Sequence, residues 1–338
     1  ARACGIHTGM RLRKAYQLCP TLIRCPAHPE RYAAVSSTIM EALQDITPDI
    51  EVFSVDEAFL DITRCQRLLG SAPRIARLAK QKVLEVSGVL CSVGLSGDKT
   101  TAKYAAKLNK PDGLTVIPPW EARRRLEDVP VTELCGIADG IGAFLACHGV
   151  YTCGDMRNLP ISVLGRRFGN PGRRIWYMCQ GQDPEKIHVN VPPPKSVGHG
   201  KVVPPDTRDR KVLLIYLLHM SEKVGARLRR HRLQATIFFV GLRTREGWVG
   251  GKRRCAIPTD DGHHIMTLCR AVMREDWSGQ GVHQVQVTAL DPVDTGNQLE
   301  LFQETAAPRN SANAVMDAVN QRYGEFTLAP ARLLNRSS

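Results

Sequence analysis

The stretch Ser54-Val55-Asp56-Glu57-Ala58-Phe59-Leu60-Asp61 constrains this chain most, because two adjacent carboxylates sit inside an apolar, β-forming run. A charge buried there without a partner would be costly, so something must compensate the pair. Ile50, Val52, Phe53, Val55, Phe59 and Leu60 predict a strand that reverses near Asp56, with Asp61 beginning the exit. Neighbouring strand residues face opposite ways, so Asp56 and Glu57 can share one ion only if the turn bends their side chains together. Oxygen-only ligands of this kind suit Mg²⁺, which binds through one or two carboxylates plus substrate phosphates. The blander alternative is a surface hairpin that carries solvated acids.

The 338 residues suffice for two to four domains with a sizeable core, and 43% hydrophobic with 23% charged residues is ordinary for a globular protein. The basic excess is not ordinary. Forty-six Lys and Arg against 33 Asp and Glu give +13 and a pI near 9.4, which points to a polyanionic partner, nucleic acid before membrane. Between Lys195 and Cys255 stand 15 basic and 4 acidic residues, so most of the excess lies in one short region. The alternatives there are a phosphate-binding face and an ordinary solvated surface. Eleven cysteines, without a CxxC pair or zinc-site spacing, read as reduced thiols of a cytoplasmic protein. No apolar run is long enough to span a bilayer as a helix, and no signal peptide opens the chain.

Further motifs follow in a fixed order. Gly94-Leu95-Ser96-Gly97-Asp98-Lys99 leads through Ala102-Lys103 and Ala105-Ala106 to Asn109-Lys110-Pro111-Asp112-Gly113-Leu114. Upstream stand Ala1-Arg2, Gly5-Ile6 and Gly9-Met10. Together with the carboxylate hairpin these resemble the Y-family (translesion) DNA polymerases, the bacterial DNA polymerase IV type in particular. The resemblance implies an α+β multidomain right hand: partial fingers over 1–28, an α/β catalytic palm over 29–117 and a helical helix-hairpin-helix thumb over 118–186. It further implies a linker at 187–195, a βαββαβ little finger over 196–292 and a tail over 293–338. In such a family a strand with the first metal-binding Asp, a steric gate and a triphosphate-binding Tyr would precede Ala1. That corresponds to about 45 residues by the usual size of such a segment, and without them the chain is expected to bind DNA but not extend a primer.

Periodicity supports this plan. Helical spacing occurs at 10–18, 31–46, 71–86 and 101–108, and strands are expected at Leu22-Ile23, 89–95 and 114–117. Pro118-Pro119 ends that α/β region. Leu134 to Val150 reads as a helix-hairpin-helix, in which a glycine turn offers backbone N–H groups to a DNA phosphate, although Ala138 replaces the usual second Gly. Phe168 to Arg174 could form a second such turn or an ordinary loop. After the triple proline, strands at 196–203, 233–242, 248–257 and 282–290 alternate with helices at 210–231 and 262–273. Lys223, Arg227, Arg229 and Arg230 lie off the buried side of the first of these helices, as a possible solvated face. An amphipathic segment, 312–323, closes the chain without an assigned role.

By resemblance, the reaction is template-directed nucleotidyl transfer from a dNTP, with two Mg²⁺ ions held by Asp56 and Glu57. Arg2 and Lys110 would neutralise the triphosphate, whereas Asp61 is expected to be structural and Ser54 is ambiguous. Primer-template DNA would meet Gly136 and Ala138 in the thumb, and Ser196, Gly198, Lys201, Arg243, Arg245, Lys252, Arg253 and Arg254 in the little finger. Gln298-Leu299-Glu300-Leu301-Phe302 resembles a bacterial sliding-clamp motif, with Gln298, Leu299, Leu301 and Phe302 as anchors of a monomer on its clamp. Two rivals remain at this stage: an inactive DNA- and clamp-binding accessory protein of the same fold, and a basic RNA-binding or tRNA-modifying enzyme. The latter explains the charge but not the ordered motifs.

Overall fold

The computed structural model describes residues 1–190, 193–295 and 307–333. They form two compact units, Ala1–Val191 and Pro192–Ser338. The division falls at the triple proline, within the expected linker.

In the first unit, a 3₁₀ turn at Arg2–Cys4 precedes helices α1 (Leu12–Leu18) and α2 (Pro29–Leu43). Next come the hairpin β1 (Ile50–Ser54) and β2 (Glu57–Leu60), then α3 (Gln66–Leu69) and α4 (Ala72–Ser87). Strands β3 (Val93–Leu95) and β4 (Leu114–Val116) pair in parallel, and α5 (Lys99–Leu108) is the crossover that a parallel pair needs. Asp98 caps α5 by accepting from the Thr101 N–H at 2.9 Å. Gly94 is required where α5 crosses β3: a Cβ there would lie 1.9 Å from the Ala102 carbonyl oxygen. Leu43, Ile46, Ile50, Ile75 and Val83 form the core between α2, α4 and the hairpin.

The expected palm strands are thus split into two separate two-stranded sheets. Residues 89–92 are not strand, because β4 offers only three residues to pair with. Leu22-Ile23 is irregular as well.

Helices α6 (Pro119–Leu126), α7 (Asp139–Ala146) and α8 (Ile161–Met178) build the expected helical region around Leu126, Leu134, Leu145, Met156, Leu164 and Ile175. The second glycine turn lies inside α8, where Gly169 at φ 65° kinks the helix ahead of Pro171.

The second unit follows the predicted βαββαβ order. Strand β5 (Ser196–Thr207) leads to α9 (Arg210–Arg230), then to β6 (Leu233–Arg243), β7 (Trp248–Thr259), α10 (Gly262–Glu275) and β8 (Val282–Leu290). The antiparallel order is β5-β8-β6-β7, and a short β9 (Val293–Asp294) pairs with the start of β6. Leu213, Leu217, Met220, Val224 and Leu228 of α9 and Ile265, Cys269 and Val272 of α10 pack on one face of the sheet, over Phe238, Val240, Val285 and Val287.

The last helix, α11 (Ala307–Tyr323), extends the amphipathic segment read in the sequence. Its Asp317 receives both the Nε and one terminal nitrogen of Arg229 at 2.6 and 2.8 Å, and Glu325 beyond it accepts from Lys223 at 2.7 Å. Arg227 donates to the Gly198 carbonyl at 2.8 Å. Three of the four basic residues expected as a solvated face of α9 are therefore tied within the unit.

Candidate active site and nucleic-acid face

The hairpin turn brings Asp56 and Glu57 toward one hydroxyl. Ser54 stands opposite Glu57, and a bulge between Val52 and Ser54 breaks the strict alternation of strand faces at the Val55-Asp56 turn. The Ser54 hydroxyl lies 2.8 Å from Asp56 Oδ1 and 3.4 Å from Glu57 Oε2, so one oxygen stands between both carboxylates. Asp61 points to a different task. It accepts from the Thr63 N–H at 2.9 Å, and the bonds from Thr63 hold its carboxyl below the usual range.

Helix α5 runs beside this hairpin with Lys99, Lys103 and Lys107 at four-residue spacing, hence on one face. Lys99 reaches both oxygens of Glu51 at 2.9 and 2.7 Å. Lys103 donates to Glu57 Oε2 at 2.5 Å and lies over the Phe53 ring, 4.3 Å from its centroid. Lys107 bonds the Glu133 carbonyl at 2.7 Å. Lys110, just beyond the helix end, is exposed and has no hydrogen bond or ion pair among the described residues. It is left free to meet an external anion.

The Lys99–Glu51 pair also fastens the segment that leaves the helical region. Glu51 Oε2 accepts the His188 N–H at 2.7 Å, and buried Asp183 takes two bonds from Arg174 at 2.8 Å and one from the Thr100 hydroxyl at 2.6 Å. Burial pushes Glu51 upward, but the bonds from Lys99 and His188 outweigh it and hold the group below its usual value. The expected linker therefore begins as an irregular but fastened segment, since His188 belongs to the first unit.

Asp56 and Glu57 offer hard oxygen donors, converging on one hydroxyl, with the Lys103 ammonium bonded to Glu57. This donor set fits a divalent cation completed by phosphate oxygens or water. Among the described residues, no group of three or more His, Cys, Asp and Glu side chains converges to hold an ion by itself. Neither Arg2 nor Lys110 forms an ion pair with either acid; Arg2 lies exposed in the opening 3₁₀ turn.

In the helical region, Gly136 takes φ 90°, which L side chains disfavour, and buried Leu134 and Ile137 anchor the turn on both sides. Ala138 is the exposed N-cap of α7 and supplies no side-chain cap, leaving first-turn N–H groups without a side-chain acceptor. Gly136 and Ala138 are thereby presented together at the surface.

Register decides which basic residues of the second unit share a face. Phe238, fully buried under the helices, stands opposite Arg253, whereas Phe239 and Ile237 stand opposite Lys252 and Arg254. Lys252 and Arg254 thus occupy the face away from α9 and α10, and Arg253 faces the helices, where it pairs with Asp276. Lys201 is likewise on the helix side, opposite buried Val285 and 6.0 Å from the Tyr216 ring centroid. Ser196 and Gly198 fall on the open face, opposite Leu290 and Thr288.

Arg243 is on the open face too, opposite Trp248 and 5.6 Å from its ring centroid; Arg245 is exposed in the connecting loop. Gln286 lies on this face beside Gly200 and Gly241, a polar group that composition alone did not single out. Alternation along β8 was the signal that could have found it. Gln298, Leu299, Leu301 and Phe302 lie outside the described residues.

Residues 1–107 match the impB/mucB/samB family, and residues 194–301 match the C-terminal domain of that family. The DNA polymerase IV of Moorella thermoacetica is 33% identical over 326 residues, 95% of this chain and 81% of the relative. That of Pelotomaculum thermopropionicum is 30% identical over 335 residues, covering 98% and 83%. Among solved structures, a Y-family DNA polymerase chimera of Dbh and Dpo4 superposes with a TM-score of 0.73 at 26% identity, over 87% of this chain and 85% of the chimera. The chain belongs to the Y family of DNA polymerases, of the bacterial DNA polymerase IV type.

Proposed function

We propose that this chain is a translesion DNA polymerase, in which a primer 3′-hydroxyl attacks the α-phosphorus of a dNTP and pyrophosphate leaves. The observation that supports it most is the Ser54-centred approach of Asp56 and Glu57, inside a chain of this family. Two Mg²⁺ ions, when bound, would supply Lewis-acid stabilisation of the attacking and leaving oxygens. Asp56 and Glu57 would hold the metal, and Lys103, bonded to Glu57 Oε2, fixes the position of that carboxylate. Lys110 and Arg2 neutralise triphosphate charge, Arg through its planar fork and Lys as a point charge.

Phosphates of the primer-template meet two surfaces. One is the Gly136–Ala138 turn; the other is the open sheet face with Ser196, Gly198, Arg243, Lys252 and Arg254, extended by Arg245 in its loop. Lys201 and Arg253 act behind that face, as supports. The free state of all eleven cysteines fits a reducing, cytoplasmic setting. Among the described residues, no helix is long and apolar enough to cross a membrane. The protein acts as a monomer that docks on a bacterial sliding clamp through Gln298 to Phe302, and loss of clamp capture on Leu301→Ala with Phe302→Ala checks that assignment.

Asp56→Asn and Glu57→Gln, tested singly in a protein that also carries a family N-terminal segment ahead of Ala1, should each lower primer extension by at least about a thousandfold while DNA affinity stays within about twofold. Extension within tenfold of the parent would remove these two acids from the metal site.

A further inference from the structure

Lys80 of α4 is the most heavily engaged ammonium outside the carboxylate hairpin. Its Nζ lies 2.8 Å from the Cys91 carbonyl, 2.7 Å from the Asp112 carbonyl, 2.5 Å from Asp112 Oδ1 and 3.4 Å from the Gly113 carbonyl. An ammonium has three hydrogens, so this group is saturated and has nothing to offer a substrate. All of its acceptors belong to the strand approach before β3 or to the loop that joins α5 to β4.

That loop carries Lys110, the unpaired cation two residues before Asp112. Asp112 itself sits at φ 55°, in the left-handed region that costs a non-glycine residue on the order of 1 kcal/mol. Lys80 grips this residue by both its carbonyl and its carboxylate. Ser92 accepts the Gly113 N–H at 3.2 Å, and Asn109 donates to Thr115 at 3.0 Å, so the loop is also held on its other sides. An ordinary surface ion pair would involve the carboxylate alone; two close backbone carbonyls make Lys80 a bracket for the loop's path.

We propose that Lys80 is a positioning residue for the incoming nucleotide: it fixes the Asp112-Gly113 turn and thereby the approach of Lys110 to the triphosphate, without touching the nucleotide. This rests on the reading of Lys110 as a triphosphate contact. Removing the bracket loosens Lys110 but leaves the carboxylate hairpin intact, so dNTP capture weakens more than chemistry does.

The test is single-nucleotide incorporation, in a protein that carries a family N-terminal segment ahead of Ala1, by Lys80→Met, Asp112→Ala, Lys110→Ala and the Lys80→Met/Lys110→Ala double variant, with thermal melting of each. Lys80→Met should raise the KM for dNTP about tenfold with kcat within about twofold, and Asp112→Ala should shift KM in the same direction by less. The double variant should be no worse in KM than Lys110→Ala alone, because Lys80 acts through Lys110. If Lys110→Ala raises KM while neither Lys80→Met nor Asp112→Ala does, Lys80 has no positioning role. Additive effects in the double variant overturn the proposal too, since they place Lys80 on a separate path. If Lys110→Ala leaves KM unchanged, the reading of Lys110 fails first and the role of Lys80 falls with it. Should Lys80→Met prove unfolded by melting, Asp112→Ala decides by the same criteria.

Discussion

Around the carboxylate hairpin, the first unit buries charge; under its sheet, the second unit buries hydrocarbon. Lys99 retains 8% of its side-chain exposure and Glu51 13%, and the Asp183 side chain is fully buried between Arg174 and Thr100. Beneath the helices of the second unit, Phe238, Val240, Leu217 and Val287 are fully buried instead. Close to the hairpin, Lys99 is matched to Glu51, Lys103 to Glu57 and Arg174 to Asp183, so the surroundings are polar and paired charge by charge. Under the sheet an apolar core gives cohesion without directional bonds. Cohesion near the hairpin should accordingly respond to acid and to the loss of single charges, whereas the sheet should respond mainly to lost volume.

Truncation in the apolar core gives the largest expected effect. Phe238→Ala should cost the second unit about 4 kcal/mol, read as a lowered melting transition. Lys99→Met should cost the first unit about 3 kcal/mol, because it strands Glu51 among neighbours arranged for a cation. Replacing both partners, Lys99→Met with Glu51→Leu, should recover much of that loss. A double variant no more stable than the single one would show that the charges contribute cohesion in their own right, and would weaken the contrast.

Acid should separate the two units more gently. The folded value of Glu51 lies below its ordinary 4.5, so the stability it contributes is complete above that pH and is lost as the pH falls from 4.5 through the depressed folded value. Melting followed from about pH 6 to about pH 3 should lower the first unit's transition. Glu51→Gln should flatten that dependence. A first-unit transition with the same acid response in this variant would assign the response to another carboxylate.

The smallest effect concerns DNA. Lys252→Ala with Arg254→Ala should reduce the slope of log affinity against log salt by about 0.9 per lost phosphate contact, whereas Arg253→Ala should leave the slope in place and lower stability by about 1 kcal/mol. Equal slope changes for all three would mean that the strand face does not sort them.

The sequence carries local and periodic information well. The carboxylate hairpin was legible because eight consecutive residues define it, and the βαββαβ order because one buried face imposes alternation on each strand. Pairings between distant residues were not legible. Lys99 meets Glu51 48 positions away, Lys80 meets Asp112 32 away and Arg229 meets Asp317 88 away. Each cation read alone looks like surface charge, so α9 looked solvated although Lys223, Arg227 and Arg229 are engaged within the unit. The sidedness of Lys201 and Arg253 depended on register, which a single strand cannot reveal. Arg2, Lys110, Gly136 and Ala138 stand exposed, as substrate contacts would.

The register of β7 also limits how this surface can change over time. Only every second position faces the open side, so the basic residue at position 253 adds charge to the chain without adding it to the face. An insertion of one residue within β7 would exchange the two sides at once, turning Lys252 and Arg254 toward Phe238 and its neighbours and Arg253 outward. Substitutions at alternate positions can tune the grip on a polyanion in small steps, but a change in strand length cannot, and lineages that vary in affinity should differ in residue identity here far more than in length.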